Sequence, residues 1–199
     1  LLTKDLAGLA INVSWNARNA EQMISNHGLN HLMDRMDNSR DPLLMKVIRN
    51  LSQWSFDVQQ SLESPEVQYK HRGLWSAHVK TMCQMALEAP NHDFLVEILG
   101  TLANLTSLDL PGGWYKVLKD YHIFQLVSKL LAPGVAEPDL LLEVVMLFSA
   151  SATESKACDM ICSGVVLKQL HNLWTDKGPD DVELLLQLMH CFYRLMLNE

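Results

Sequence analysis

The apolar residues between Asp93 and Ser107 recur at steps of three and four, which places their side chains on one face of an α-helix. They are Leu95, Ile98, Leu99, Leu102 and Leu105. Glu97, Thr101 and Asn104 follow the same spacing on a neighbouring side of the helix. The stretch therefore predicts a helix with one core face and one polar stripe that is suited to recognition.

The same pattern returns four more times along the chain when it is aligned on Glu97 and Asn104. The positions equivalent to Asn104 are Asn12, Asn50, Ala150 and Arg194. The positions equivalent to Glu97 are Asp5, Leu43, Glu143 and Gln187. The intervals scatter around the period of about 40 to 47 residues that HEAT and armadillo units have, except for a longer one between Asn50 and Asn104.

These repeats predict an all-α fold, because no alternating run long enough to build a sheet interrupts them. Within a repeat, a short helix and a second helix precede a long third helix, which is armadillo order. We expect a right-handed armadillo superhelix, an α-solenoid of about five repeats with the first one truncated. The predicted repeats are 1–15, 16–54, 55–107, 108–153 and 154–199.

The excess length of the third repeat predicts an insertion loop over about 55–73. Ser64 and Pro65 break the helical pattern there, and a polar run follows. Such a segment buries little apolar surface to offset its chain entropy, so we predict that it is mobile.

Two smaller predictions concern a turn and the ends of the chain. Glycine at position 28 is predicted to turn the chain sharply with positive φ. No polar capping repeat is evident at either end, which is typical of a segment of a longer solenoid.

The composition narrows the possible partners and surroundings. The net charge is −7, and the 16 Lys and Arg residues are spread thinly over the 199 positions. Nucleic acid is therefore not an expected partner, and basic segments are favoured. No apolar run approaches the roughly 18 residues of a membrane span, so membrane insertion is not expected. The four cysteines lie within helical patterns and are interpreted as reduced core residues of an intracellular protein.

Neither catalysis nor a cofactor is predicted. His27 and His31 lie four residues apart, but no further ligand is spaced to complete a metal site. Cys158 and Cys162 share a helix face, yet their spacing favours core packing over zinc binding. The chain also has no Gly-rich phosphate loop after a strand and no nucleophile elbow. We predict a non-enzymatic protein without a metal or cofactor.

The asparagines of the repeat position are the strongest candidate for a binding site. Asn12, Asn50 and Asn104 recur at one register, although asparagine is a poor helix former. If third helices stack side by side, equivalent positions form a row along a concave groove. The protein-binding candidates are Asn12, Asn50, Glu97, Asn104, Glu143 and Arg194. The alternative is that the row is only solvated and that a partner uses the outer face or the ends.

The row resembles the asparagine ladder of armadillo-repeat proteins, which grips the backbone of an extended peptide. A closer resemblance, to the kinesin-associated protein family, is carried by segments in order and spacing. They are RNAEQMI at 18–24, DPLLMKVIRNLS at 41–52, EILGTLANLT at 97–106, VLKDY at 117–121, PGVA at 133–136 and LEVV at 142–145. The similarity covers nearly the whole chain except 55–79.

This resemblance implies a non-catalytic accessory subunit of heterotrimeric kinesin-2. Such a subunit binds the tails of the two motor polypeptides and links them to cargo, including intraflagellar transport proteins. It implies a location in the cytoplasm, on the cytoskeleton and in the cilium. The alternative function is a peptide receptor of the importin or catenin type. Import receptors pair each asparagine with a tryptophan one turn earlier, where this chain has Gly8, Lys46 and Gly100, so the motor-accessory function is favoured.

Overall fold

The computed structural model describes residues 3–57, 65–176 and 181–198. Over these residues it has twelve α-helices, one short 3-10 helix and no β-strand, which confirms the all-α prediction. None of the described helices is long and apolar enough to cross a membrane. The chain divides into two compact units, Leu1–Leu108 and Asp109–Glu199. The superhelical arrangement of the repeats stays a prediction.

Unit 1 contains six of these helices and the 3-10 helix. They are α1 (Lys4–Ser14), α2 (Ala17–Ile24), α3 (Gly28–Ser39), α4 (Pro42–Asp57), α5 (Pro65–Leu87), α6 (His92–Asn104) and the 3-10 helix Leu105–Ser107. The long helix α4 lies between α1 and α6. It is buried on both sides, with Met45, Ile48 and Leu51 among its fully buried residues. The predicted third helices of the first three repeats therefore stack side by side within unit 1.

Unit 2 contains the other six helices. They are α7 (Gly113–Asp120), α8 (Ile123–Leu130), α9 (Pro138–Ser151), α10 (Ser155–Cys162), α11 (Val165–Asp176) and α12 (Val182–Met196). Here a short helix, a second helix and a long helix follow one another twice, as α2, α3 and α4 do in unit 1. The long helices α9 and α12 pack along each other.

The turn before each second helix uses a left-handed residue. These residues are His27 (φ 66°), His122 (φ 58°) and Gly164 (φ 73°). The prediction of a positive φ at Gly28 is therefore wrong, because the left-handed conformation falls on the residue before it. Glycine is needed at 28 for a different reason: a Cβ there would overlap the carbonyl oxygen of Met23.

The predicted insertion loop is helical at both of its margins. Helix α4 continues to Asp57, and α5 begins at Pro65. Proline suits the first turn of a helix, since its missing N–H has no intrahelical partner there. Pro65 therefore starts a helix instead of breaking one. Residues 58–64 lie outside the described residues, and the predicted mobility of the segment stays a prediction.

A carboxylate from a later helix caps the first helix of unit 2. Glu154, just before α10, accepts hydrogen bonds from the backbone N–H groups of Trp114 (2.7 Å) and Tyr115 (3.1 Å) at the start of α7. A negative charge at this end is also favoured by the helix dipole. Gly113 has a φ of 71°, and a Cβ there would come within 2.5 Å of the Glu154 carboxylate oxygens. The cap therefore depends on both residues.

We predict that Glu154→Ala lowers the free energy of unfolding by about 1 to 2 kcal/mol, because two helix N–H groups lose their acceptor. Urea denaturation followed by circular dichroism measures the change. The matched control is Glu137→Ala, which removes the same charge from an exposed residue before α9 whose side chain makes no cap hydrogen bond. Equal losses in the two variants would show that the cap contributes nothing.

A histidine joins α3 and α5 in unit 1. His78 Nε2 lies 2.9 Å from Asn30 Oδ1. Burial lowers the pKa of His78 below its ordinary value, although the Asp34 carboxylate opposes this shift. The folded chain therefore favours the neutral ring, in which Nε2 keeps its hydrogen and donates to the amide oxygen.

We predict that His78 makes the folded state less stable in mild acid. Its folded pKa is the lower one, so the unfolded chain binds more protons as the pH falls below about 6.5. The contribution of the neutral His78 ring to the free energy of unfolding is complete above that pH and is lost as the pH falls toward the folded pKa. Unfolding free energies measured between about pH 7 and pH 5 should fall less steeply for His78→Gln than for the unmodified chain. His171→Gln, at an exposed histidine, is the control, and an unchanged slope for His78→Gln would contradict the assignment.

Candidate functional site

The predicted polar row lies at very different depths along unit 1. Asn12 is exposed on α1, whereas Asn50 on α4 is only 4% exposed. Glu97 and Asn104 on α6 are partly buried. The row is therefore partly a surface and partly an internal contact between helices.

Asn50 uses both hydrogens of its amide nitrogen on the preceding long helix. Its Nδ2 donates to the carbonyl oxygen of Ile11 (3.2 Å) and to Ser14 Oγ (3.0 Å) on α1. Ser14 Oγ in turn donates to the Ile11 carbonyl oxygen (2.7 Å). Three groups thus satisfy one another in a buried contact between α1 and α4, which we call an amide–hydroxyl clasp.

Asn104 makes the same contact one repeat later. Its Nδ2 donates to Ser52 Oγ (2.9 Å) and to the Arg49 carbonyl oxygen (3.4 Å) of α4. Ser52 Oγ donates to that same carbonyl oxygen at 2.6 Å. The partners occupy equivalent positions in the two helices. Ile11 and Arg49 each come one residue before the asparagine of their own helix, and Ser14 and Ser52 come two residues after it. The second clasp therefore repeats the first.

The sequence carries a signal for the clasp in the triplets 12–14, 50–52 and 104–106. Each has an asparagine followed two residues later by serine or threonine. In the third triplet Thr106 Oγ1 also donates to a carbonyl oxygen, that of Ala103 (2.8 Å). An Asn-x-Ser/Thr triplet is otherwise read as a glycosylation acceptor, which requires a surface position. At Asn50 burial favours the packing role, which reasoning from single asparagines missed.

Glu97 joins α6 to α4 by charge. Its carboxylate lies 3.4 Å from Lys46 Nζ and 3.4 Å from Arg49 Nη1. The Glu97 side chain is 13% exposed, whereas that of Lys46 is 46% exposed. Partly exposed pairs of this kind contribute roughly 0 to 1 kcal/mol each. They orient the charged groups more than they stabilise the fold, and Lys46 presents a positive charge to solvent.

In unit 2 the row positions have other surroundings. Glu143 on α9 is only 4% exposed. Arg194 on α12 is partly exposed, and its Nε donates to His190 Nε2 at 3.1 Å. A guanidinium has only donors, so this ring nitrogen accepts and the hydrogen is on Nδ1. His190 Nδ1 then donates to Ser149 Oγ of α9 at 2.9 Å. Arg194 thus belongs to a polar contact between the two long helices.

The thiols and imidazoles form no metal centre in the part of the chain that the structure describes. Cys83, Cys158 and Cys191 are buried as predicted, but Cys162 is exposed. Burial raises the pKa of Cys83 and of Cys191 to about 12, so both are protonated thiols at neutral pH. The interpretation of all four cysteines as core residues is wrong for Cys162, because this last residue of α10 lines an open depression beside α11 and α12.

The helices define an all-α protein in which a short helix, a second helix and a long third helix recur in that order. It is similar to the crystal structure of an engineered protein from the Northeast Structural Genomics Consortium, with a TM-score of 0.59 and 15% sequence identity. That match covers 98% of this chain and 90% of the other, and at this identity it concerns the fold alone.

The family assignment comes from the sequence. Residues 2–199 match the family described as Kinesin-associated protein (KAP). The chain belongs to this family, which confirms the resemblance found in its motifs. The kinesin-associated proteins are a non-catalytic accessory family, and membership gives the chain a kinesin-associated accessory role.

We predict that Asn50→Ala lowers the free energy of unfolding by about 1 to 3 kcal/mol, because the buried Ser14 hydroxyl loses the Asn50 donor and the Ile11 carbonyl oxygen keeps only the Ser14 one. Ser14→Ala should have a smaller effect, and the double variant should lose less than the sum of the two. Urea denaturation of the three variants gives the coupling energy.

The control is Asn12→Ala, at an exposed asparagine of the same register, which should change stability by less than about 0.5 kcal/mol. Additive losses for Asn50→Ala and Ser14→Ala, or a loss no larger than that of the control, would contradict the clasp.

Proposed function

We propose that this protein is an accessory subunit of heterotrimeric kinesin-2 that binds the tails of the two motor polypeptides. In this proposal it links the motor to cargo, including intraflagellar transport proteins, in the cytoplasm, on the cytoskeleton and in the cilium. The observation that carries the proposal is the family match over residues 2–199. The motifs at 41–52 and 97–106, which form much of α4 and α6, support it.

The proposed binding surface uses the exposed part of the row. In unit 1 this part comprises Asn12, Lys46 with its partner Glu97, and the partly exposed Asn104. The Nδ2 group of Asn104 is engaged in its clasp, and its Oδ1 accepts no hydrogen bond from a described residue. That oxygen is suited to a backbone N–H of a bound segment. In unit 2, Arg194 offers its guanidinium at the equivalent position.

Each unit also contains one buried member of the row. Asn50 and Glu143 are each 4% exposed, so a bound segment does not reach them without displacing a neighbouring helix. In the proposal they set the spacing of the long helices, and their exposed neighbours make the contacts. The net charge of −7 favours a partner that is basic as a whole, whereas Lys46 and Arg194 favour an acidic side chain or a backbone carbonyl oxygen at their own positions.

The alternative, a peptide receptor of the importin or catenin type, has less support. Such a receptor uses its asparagine amides and adjacent tryptophans to hold a peptide backbone. Here the amide nitrogens of Asn50 and Asn104 donate within unit 1. The positions one turn earlier are Gly8, Lys46 and Gly100, which offer no aromatic surface.

We predict that the full-length protein co-purifies with both kinesin-2 motor chains and binds their tails. Asn12→Ala combined with Lys46→Ala should weaken tail binding by about tenfold, because two exposed polar contacts are removed. Isothermal titration with purified tails measures the affinity. The matched control is Lys168→Ala combined with Asn172→Ala on α11, which makes the same chemical changes at exposed positions.

Two outcomes separate the function from the site. If no kinesin-2 chain binds the full-length protein, the proposed function is wrong. If the tails bind the row variant and the unmodified protein equally, the function stands and the binding site lies elsewhere.

A further inference from the structure

A cavity of about 110 Å³ lies in unit 2 between α11 and the connection from α8 to α9. The connection contributes residues 131–134, α9 contributes Leu141, and α11 contributes Gln169, Asn172, Leu173 and Asp176. Its two walls belong to the predicted repeats 108–153 and 154–199, so both walls are present within the described chain.

The floor of the cavity is apolar and one wall is polar. Leu131, Leu141 and Leu173 form the floor and are 5%, 5% and 8% exposed. Gln169 and Asn172 precede Asp176 at steps of three and four, so the three polar residues share one side of α11. The side-chain amide of Gln169 forms no hydrogen bond with another described residue. The cavity thus combines buried apolar surface with polar groups along one edge.

The polar edge carries a negative charge. Asp176 is exposed at the last position of α11, where the negative end of the helix dipole also lies. Its Oδ1 accepts a hydrogen bond from Thr175 Oγ1 at 3.3 Å, but no lysine or arginine of the described residues forms an ion pair with it. The stretch 130–155, which includes the opposite wall, has four acidic residues and no lysine or arginine. A cation is therefore favoured here.

The size of the cavity restricts what can enter it. An α-helix with its side chains is about 10 to 12 Å across, so a space of this volume does not admit one. A single long side chain fits. Arginine has an apolar stem that can lie on an apolar floor and a planar cationic head with only hydrogen-bond donors.

We propose that this cavity is a binding site for one arginine side chain of a partner protein. The stem lies on Leu131, Leu141 and Leu173. The guanidinium donates to the Asp176 carboxylate and to the side-chain oxygen of Gln169, because a charged planar donor is strongest with a carboxylate.

The cavity is separate from the polar row proposed for the motor tails. Leu141 lies in the first turn of α9, whereas the row residue Arg194 lies in the last turn of α12. The two helices run in the same direction, since Ser149 contacts His190 and Ala152 contacts Asn198. The cavity and Arg194 therefore lie toward opposite ends of the long helices, and the inference is independent of the proposed kinesin-2 function.

A pair of small probes tests the site. Nα-acetyl-L-arginine amide carries the guanidinium, and Nα-acetyl-L-citrulline amide has the same shape without the charge. Methyl NMR of the 199-residue protein should show saturable shifts at the methyl groups of the three floor leucines. The arginine derivative should bind at least about fivefold more tightly than the citrulline derivative, because only it forms a charged pair with Asp176.

The variant Asp176→Asn should lower the affinity for the arginine derivative to about that for the citrulline derivative and leave the latter unchanged. Asp176 is exposed, so the fold should be retained, and circular dichroism checks this. The matched control is Asp120→Asn, at the exposed last residue of α7. Its affinity for both probes should equal that of the unmodified protein.

Three results would overturn the proposal. The first is the absence of saturable shifts at the floor leucines. The second is equal affinity of the unmodified protein for the arginine and citrulline derivatives. The third is an equal loss of affinity for the arginine derivative in the Asp176 and Asp120 variants.

Discussion

The packing of unit 1 depends on satisfying the amides of Asn50 and Asn104 where long helices meet. A buried polar group without a partner destabilises a fold by more than a made hydrogen bond stabilises it. The serine hydroxyls two residues beyond the asparagine position, Ser14 and Ser52, meet this requirement in one register only. A slip of α4 along α1 would strand the amide, so the clasp fixes how the apolar side chains interdigitate.

This constraint changes how the asparagine row should be interpreted. A polar residue that recurs at one repeat position suggests a ladder for a bound peptide. The same recurrence arises when each long helix hydrogen-bonds to the long helix before it. Depth decides between the two roles, since Asn50 is 4% exposed while Asn12 is exposed. Asn50 thus has a packing role, recognition by Asn12 stays a proposal, and Glu97 pairs with Lys46 at the surface.

Periodicity predicted the helices and their order, because burial of one apolar side dictates spacing within a helix. It predicted the burial of Asn50 and Glu143 less well, since the spacing gives a direction around the helix and not whether a neighbour covers it. The same limit applies to Gly28, where the nearby Met23 carbonyl oxygen leaves no room for a Cβ. It applies as well to Pro65, which begins α5 instead of breaking a helix. Contacts distant in sequence, such as Glu154 with the start of α7, leave no local pattern at all.

Unit 2 meets the same stacking constraint with different chemistry. Position 150 is alanine, which has no side-chain donor for a clasp. The contact between α9 and α12 instead uses Ser149 with His190 and the Ala152 carbonyl with Asn198. Long helices in both units therefore need polar pairs at their junction, but the residues that supply them differ. It follows that asparagine at the register is one solution to helix stacking, and that its presence alone does not identify a peptide-binding groove.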